Sequence, residues 1–255
     1  MSDTDDEEPA GSAIHAAVRN LDVDALRRAL AAGANVDALD ESGRTPLYVA
    51  CHANPPRSMV TMEPPMWREK VREREAIVAA LLRAGANVDA RGDETPLKAA
   101  VWDRTYGRRC PPSDVVSMLI AAGADIEASA ASGFFVLYTA AQSGSANTVS
   151  RLLAAGADPH RRLSITGYTV LDSARLTNNV RAYAPLLRAG ATLPPASRRD
   201  AYLDKIAATP GGFPAYEREH RRRLTAVFTN KFPMLPVEVI SHIVLLWGHC
   251  GDYLY

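Results

Sequence analysis

The triplet Ala-Gly-Ala occurs five times, and its spacing constrains the fold more than any other feature of the sequence. Successive glycines are 52, 38, 33 and 34 residues apart, at Gly33, Gly85, Gly123, Gly156 and Gly190. Removing insertions of 19 and 7 residues from the second and third copies, and allowing a two-residue deletion before Thr95, brings all four spacings to 33 or 34 residues. A fixed period of this length is typical of proteins built from stacked repeats.

The residues inside each repeat predict a pair of helices. Thr45 and Thr95 are suitable N-caps, and Pro46 and Pro96 follow at the first helical position, where a missing N–H costs nothing. A second helix carries paired apolar residues such as Leu81-Leu82 before the glycine, which ends the helix in a left-handed turn. Each helix pair has an apolar face that it cannot bury alone, so the repeats must stack on one another.

The motifs Thr-Pro-Leu-Tyr-Val-Ala at 45–50, Thr-Pro-Leu-Lys-Ala-Ala at 95–100 and the repeated Leu-Leu-x-x-Gly-Ala resemble those of ankyrin repeats. The resemblance covers residues 12–193 and implies an all-α ankyrin-repeat solenoid of five helix-pair repeats. In that family a histidine usually follows the leucine and bonds the capping threonine. Because this chain has His15, Tyr48, Lys98, Tyr138 and Asp172 at that position, the polar network is predicted to be largely absent.

The repeat pattern divides the chain into three predicted regions: a disordered acidic N-terminus (1–11), a repeat domain (12–193) and a helical C-terminal extension (194–255). The predicted repeats span 12–38, 39–90, 91–128, 129–160 and 161–193, with insertions at 53–72 and 103–112. Four prolines exclude a helix from the first part of the longer insertion. The charged run from Trp67 onward is predicted to extend the second helix of that repeat.

The resemblance also implies a function, the non-catalytic binding of a protein partner on a concave face made by the first helices and the hairpin tips. The residues that map onto this face, and that we expect to contact the partner, are Arg44, His52, Trp102, Phe134, Gln142, Arg162 and Tyr168; Arg19 is a further surface position. Aromatic and arginine side chains often dominate interface energy. The alternatives are that Trp102 covers the adjacent insertion and that Phe134 packs across its own hairpin.

Charge and composition exclude several partner classes. The chain has 29 basic and 29 acidic residues, whereas nucleic-acid and membrane-surface proteins need a basic excess, so neither partner is expected. No apolar run approaches the ~20 residues that span a bilayer, and the acidic start is unlike a secretory signal. Three widely spaced cysteines favour reduced thiols. We therefore expect a soluble monomer in the cytoplasm, with the nucleus as the alternative.

Sequence motifs for catalysis or metal binding are absent. The sequence contains no His-Glu-x-x-His, no Cys-x-x-Cys and no glycine-rich phosphate loop. We therefore expect no enzymatic activity, no cofactor and no bound metal.

The basic run Arg221-Arg222-Arg223 has two readings, a nucleic-acid or nuclear-import patch and the polar face of an amphipathic helix. Interleaved glutamates favour the helix, with an apolar stripe formed by Tyr216, His220, Leu224, Val227 and Phe228.

Near the C-terminus, the motif Leu-Pro-x-Glu-Val-Ile-x-x-Ile at 235–243 resembles the opening helix of an F-box. This resemblance implies docking to an adaptor of a cullin ubiquitin ligase, with the ankyrin stack holding a substrate. The residues that would dock are Leu235, Pro236, Ile240, Ile243, Val244 and Trp247. The alternative, which the sequence favours, is that this apolar helix seals the exposed end of the stack.

Overall fold

The computed structural model describes residues 10–52, 64–90, 94–101, 114–129, 133–143 and 146–249. The chain divides into two compact units, Met1–Thr139 and Ala140–Tyr255. Across the described residues the regular elements are helices, and the only extended pairings are isolated bridges between Ser129 and Phe135 and between Arg162 and Thr169.

The first unit consists of helices arranged in two rows. These are α1 (Ala10–Asn20), α2 (Val23–Ala31), α3 (Pro46–His52), α4 (Pro64–Arg83), α5 (Pro96–Val101), α6 (Val115–Ala121) and the start of α7 (Val136–Ser143). The odd-numbered helices α1, α3 and α5 contact one another in chain order, and α2, α4 and α6 form a second row. Fully buried leucines such as Leu26, Leu47, Leu81, Leu97 and Leu119 lie in the core of this unit. Each helix therefore buries its apolar side against a neighbouring repeat.

Every Ala-Gly-Ala corner ends a second helix with the same pair of hydrogen bonds. At the first corner the Gly33 N–H donates to Leu30 O at 3.0 Å and the Ala34 N–H donates to Ala29 O at 3.0 Å. Equivalent bonds recur at the other four corners, and all five glycines have φ between +78° and +102°. This Schellman arrangement satisfies carbonyls that the helix end leaves unpaired. The prediction that a left-handed glycine ends each second helix is confirmed.

The loops after these corners repeat their hydrogen bonds as well. In each of two loops an Asn side chain accepts from the main chain two residues on, Asn35 from Asp37 N at 3.0 Å and Asn87 from Asp89 N at 3.1 Å. The Asp37 carboxylate then accepts from Asn87 N at 3.0 Å, and Asp89 accepts from Asp125 N at 2.9 Å. Each loop is thereby bonded to the equivalent position of the next repeat.

The second unit contains the end of α7, then α8 (Ala146–Ala154), α9 (Val170–Leu176), α10 (Tyr183–Arg188), α11 (Ala201–Ala208), α12 (Gly212–Lys231) and α13 (Val237–His249), with short 3-10 helices at Val180–Ala182 and Ala196–Arg198. Helix α10 packs against α8, α9 and α12, and α12 also contacts α11 and α13. Asp200 caps α11, because its carboxylate accepts from Leu203 N at 2.8 Å. Helix α12 thus packs directly on α10, while the main contact of α13 is with α12.

Two predicted boundaries differ from the structure or fall partly outside it. Helix α1 begins at Ala10, so the last two residues of the predicted disordered segment 1–11 are helical, and the rest of that segment lies outside the described residues. Within the predicted insertion 53–72, residues 64–72 belong to α4, as the charged run indicated, and 53–63 lie outside the described residues. The predicted insertion 103–112 lies outside them entirely.

Candidate protein-binding surface

The first helices α3 and α5 begin in the same way, which fixes the positions of their surface residues. The Tyr48 N–H donates to Thr45 Oγ1 at 3.3 Å, and the Lys98 N–H donates to Thr95 Oγ1 at 3.3 Å. Side chains four residues apart lie on one helix face. The residue before each capping threonine (Arg44 or Glu94) therefore lies on the same side as the residue three places after that threonine (Tyr48 or Lys98).

In the second repeat this alignment joins Arg44, Tyr48 and His52 in one stripe. The Tyr48 and His52 rings stack with centroids 5.5 Å apart, Tyr48 being buried and His52 exposed. Buried Arg74 of α4 holds the end of this helix, because its guanidinium donates to Ala50 O at 2.8 Å and to Cys51 O. The stripe is therefore anchored at its C-terminal end, and His52 is presented on fixed backbone.

Asp40, at the hairpin tip, organises the other end of the stripe. Its Oδ2 accepts from Arg44 Nη2 at 2.9 Å and from Arg19 Nη2 at 2.9 Å. Burial raises the pKa of Asp40, but hydrogen bonds from the Arg44 side chain, the Arg44 amide and the Ser42 amide outweigh this effect and hold the pKa well below its usual range. Asp40 therefore remains a carboxylate and keeps both arginines in place.

The third and fourth repeats contribute a cationic and an aromatic group. Lys98 is buried, forms an ion pair with Glu94 at 2.9 Å and lies 5.8 Å from the centroid of the Phe134 ring. Phe134 in turn stacks on Tyr138, with ring centroids 5.4 Å apart. Phe134 remains partly exposed, so its stacking leaves surface available for contact. Trp102, predicted to be on the concave face, is outside the described part of the chain.

The second unit carries the remaining predicted contact residues. Gln142 is half-buried on α7, and Arg162 is exposed in a hairpin whose tip presents Ile165 with 84% of its surface exposed. Tyr168 is half-buried, because the Arg198 guanidinium lies 4.8 Å from its ring centroid. One face of the Tyr168 ring is therefore already covered by the C-terminal extension.

The expectation that the capping network would be largely absent is wrong in the fifth repeat. The Thr169 hydroxyl donates to Asp172 Oδ2 at 3.0 Å, and the Asp172 N–H donates to Thr169 Oγ1 at 3.1 Å. The same carboxylate forms an ion pair with Arg198 at 3.3 Å. Aspartate replaces histidine here because a buried carboxylate can accept from the threonine and pair with a nearby arginine at once.

Comparison with known families agrees with this geometry. A family model described as ankyrin repeats (many copies) matches residues 12–62. Residues 12–62 are therefore similar to ankyrin repeats. The all-helical fold class predicted for an ankyrin-repeat helical solenoid is confirmed. No match to a curated protein was found. Ankyrin repeats generally mediate protein–protein interaction, and the family is typically non-catalytic.

Sequence reasoning missed four residues that shape this surface: Asp40, Lys98, Arg198 and Ile165. The isoleucine was detectable in principle, since it is the one apolar residue of a polar Ser-Ile-Thr-Gly tip. The other three depend on partners in other repeats or in the extension, such as Arg19 for Asp40 and Phe134 for Lys98. No local pattern identifies such partners.

The apolar surface of the last two helices agrees only in part with the prediction made from the sequence. Of the residues predicted to dock an adaptor, Ile240 and Val244 are buried, whereas Ile243 is exposed. Leu235 and Pro236 are also exposed, and the side chain of Trp247 lies outside the described residues. The neighbouring Met234 is 92% exposed. The segment before α13 is thus turned mainly toward solvent.

Helix α12 also differs in part from its prediction. Its arginines form ion pairs one turn away, Arg221 with Glu217 at 2.9 Å and Arg223 with Glu219 at 3.0 Å, as the polar-face reading expects. Val227, assigned to the apolar stripe, is exposed. The neighbours of α12, namely α10, α11 and α13, therefore leave part of its predicted apolar stripe uncovered. In the described part of the chain, no helix is long and apolar enough to cross a membrane.

Proposed function

We propose that this chain is a non-catalytic protein-recognition module. In the first unit the contact surface consists of Arg19, Arg44, His52 and Phe134, which we call the binding face; the buried side chains of Tyr48 and Lys98 contact His52 and Phe134 from below. Gln142, Arg162 and Tyr168 are proposed as contacts of the second unit, and Trp102 remains a predicted contact. Ankyrin repeats generally serve protein–protein interaction, and this general role supports the proposal.

The observation that supports the proposal is that exposed arginine, histidine and phenylalanine side chains are held on a rigid helical framework. Arg44, Tyr48 and His52 form one stripe, and Phe134 with Tyr138 forms a second, each beside a fully buried leucine, Leu47 and Leu137 respectively. Side chains held in place before binding lose little conformational entropy when a partner arrives. Arginine and aromatic groups are also the residues that most often dominate binding energy.

The test is affinity purification of the full chain with quantitative mass spectrometry. The variant His52→Ala with Phe134→Ala removes two exposed groups of the binding face. The matched control, Arg27→Ala with Arg83→Ala, removes two exposed side chains from the second helices α2 and α4. We expect at least one protein to be retained by wild type and control and to be depleted about tenfold or more by the binding-face variant.

A purified candidate from that experiment should then bind the wild-type chain directly, with a Kd that the binding-face variant weakens. Partners captured equally by all three proteins would contradict the proposal. Thermal unfolding of each variant separates lost contact from lost folding.

A second function, docking to an adaptor of a cullin ubiquitin ligase, is favoured by the exposed apolar segment at the start of α13. Met234, Leu235, Val237 and Val239 are all exposed next to the buried Ile240. A helix that served mainly to seal the repeat stack would bury these groups. Because α12 packs on α10 while α13 packs chiefly on α12, α13 is available for another contact.

This second function is tested with paired substitutions on α13 and the segment before it. Met234→Asp with Val239→Asp changes exposed residues and is expected to abolish capture of a cullin adaptor without lowering the unfolding midpoint. Ile240→Asp changes a buried residue and is expected to lower that midpoint. Failure to recover any cullin adaptor with the wild-type chain would exclude this function and leave the protein-recognition role standing.

A further inference from the structure

Two arginines at one end of the binding face share a single carboxylate. Asp40 Oδ2 lies 2.9 Å from Arg44 Nη2, 3.1 Å from Arg44 Nε and 2.9 Å from Arg19 Nη2. Asp40 Oδ1 accepts from the main-chain amides of Ser42 at 2.9 Å and Arg44 at 3.0 Å. Both carboxylate oxygens are therefore fully used within the protein.

The charges of this cluster do not balance. Two guanidinium groups face one carboxylate, which leaves one surplus positive charge. Within the described part of the chain, Arg44 Nη1 and Arg19 Nε and Nη1 make no hydrogen bond. Glu41, the nearest acid in sequence, is exposed and forms no ion pair with the described residues. Donors and charge thus remain available on the solvent side of the cluster.

The protein itself holds this cluster in a fixed arrangement. The Asp40 side chain is only 4% exposed, whereas the side chains of Arg19 and Arg44 are 53% and 36% exposed. The Arg44 main chain is fixed from both sides, because its amide donates to Asp40 and its carbonyl accepts from His15 Nε2 at 3.0 Å. The buried acid therefore holds two half-exposed guanidinium groups in a set orientation before any partner binds.

We infer that Arg19 and Arg44 receive the carboxylate of an aspartate or glutamate in the bound segment of the partner, so that the binding face recognises an acidic peptide. This inference rests on the proposed protein-recognition function and names the chemistry of its ligand. A guanidinium binds a carboxylate through two parallel N–H groups, and both arginines keep unused N–H groups for this purpose. Asp40 positions the arginines and is not itself available to the partner.

The test begins with selection from a random twelve-residue peptide library displayed on phage, against the full-length chain. We expect the recovered peptides to be enriched in Asp or Glu at one position relative to the unselected library. A synthetic copy of a recovered peptide, labelled with fluorescein, is then titrated against the variants Arg19→Gln and Arg44→Gln. Each variant is expected to raise the Kd about fivefold or more, and replacing the acidic peptide residue with its amide should have the same effect.

The matched control is Arg27→Gln, which removes a more exposed arginine of α2 that pairs with Asp24. Its Kd should equal that of the wild-type chain, so that general loss of positive charge is excluded. Arg19→Gln keeps the bonds between Arg44 and Asp40 and remains informative if Arg44→Gln unfolds the second repeat.

The outcomes separate the two proposals. Recovered peptides without acidic enrichment, or equal binding by the Arg19, Arg44 and Arg27 variants, would overturn the acidic-peptide inference and leave peptide recognition intact. Recovery of no binding peptide at all would overturn both.

Discussion

The main-chain amide of Asn87 donates to the Asp37 carboxylate at 3.0 Å, although the two residues are 50 positions apart in the chain. The same bond recurs between Asp125 N and Asp89 one repeat later. Because the bonded positions are equivalent, each bond fixes how one repeat is aligned with the next. Alignment in this unit therefore depends on polar loop contacts as well as on buried leucines.

Replacing Asp37 with alanine should lower the free energy of unfolding by about 1 kcal/mol, since one charge-assisted bond to an exposed main-chain amide is lost. Urea titration followed by circular dichroism measures this change. Asp24→Ala is the control, because Asp24 is 81% exposed and pairs with the exposed Arg27 at 3.3 Å; its effect should stay within about 0.5 kcal/mol. Equal losses in the two variants would contradict a role for the loop bond.

Asp40→Asn should remove stability in a pH-dependent manner. The pKa of Asp40 is lower in the folded protein than the ordinary value of about 3.9 in the unfolded chain, so the folded state favours the carboxylate. Its contribution is therefore fully present above about pH 4 and is lost as the pH falls toward the folded pKa. Thermal scans should show wild-type and Asp40→Asn unfolding midpoints that differ at pH 7, with a difference that begins to shrink only below about pH 4 and keeps shrinking as the pH falls toward the folded pKa. A difference independent of pH would show that the charge of Asp40 is not what stabilises the tip.

Gly123→Ala should destabilise the first unit through backbone strain alone. Gly123 has φ of +87°, and an added Cβ would meet no heavy atom within 4 Å, so no clash contributes. The expected cost is about 1 to 2 kcal/mol. Gly123→Asn should cost less, because asparagine tolerates the left-handed region better. Chemical denaturation of the two variants gives the comparison, and an alanine variant as stable as wild type would contradict the Schellman ending.

Asp172→Ala should be the most damaging of these substitutions. It removes the bonds that the carboxylate accepts from the Thr169 amide and hydroxyl, and it leaves Arg198 without its carboxylate partner. The expected loss is about 2 to 4 kcal/mol, since a buried cap and an ion pair disappear together. Asp172→Asn should lose less, and Asp204→Ala, at an exposed position of α11, should change the unfolding free energy little. If Asp172→Ala and Asp204→Ala behaved alike, the capping role of Asp172 would be wrong.

Most of the fold could be predicted from the sequence, because the residues that start and end its helices act locally. Pro46 and Pro96 start helices through their own geometry, and the five corner glycines end them through theirs. The start of α1 at Ala10 could not be predicted, because helix ends fray. The exposure of Val227 could not be predicted either, because it depends on which neighbours cover α12. Local chemistry fixes the ends of elements, whereas burial is decided by distant contacts.

The binding surface was harder to predict from the sequence for the same reason. Arg44 and His52 were identified by position, but neither the buried acid behind Arg44 nor the tyrosine under His52 follows from that position alone. Tyr168 was identified as exposed, yet Arg198, 30 positions later in the sequence, covers its ring. Contacts between residues far apart in sequence require coordinates.

Helix α4 has 20 residues, whereas its counterparts α2 and α6 have 9 and 7, and all three end at the same Schellman corner. The extra turns are therefore all added at the N-terminal end, away from the junction that sets the repeat spacing. Additional sequence at this end can vary in length without shifting any later repeat. It is the natural place to attach a fluorophore or an epitope tag for single-molecule work on this chain.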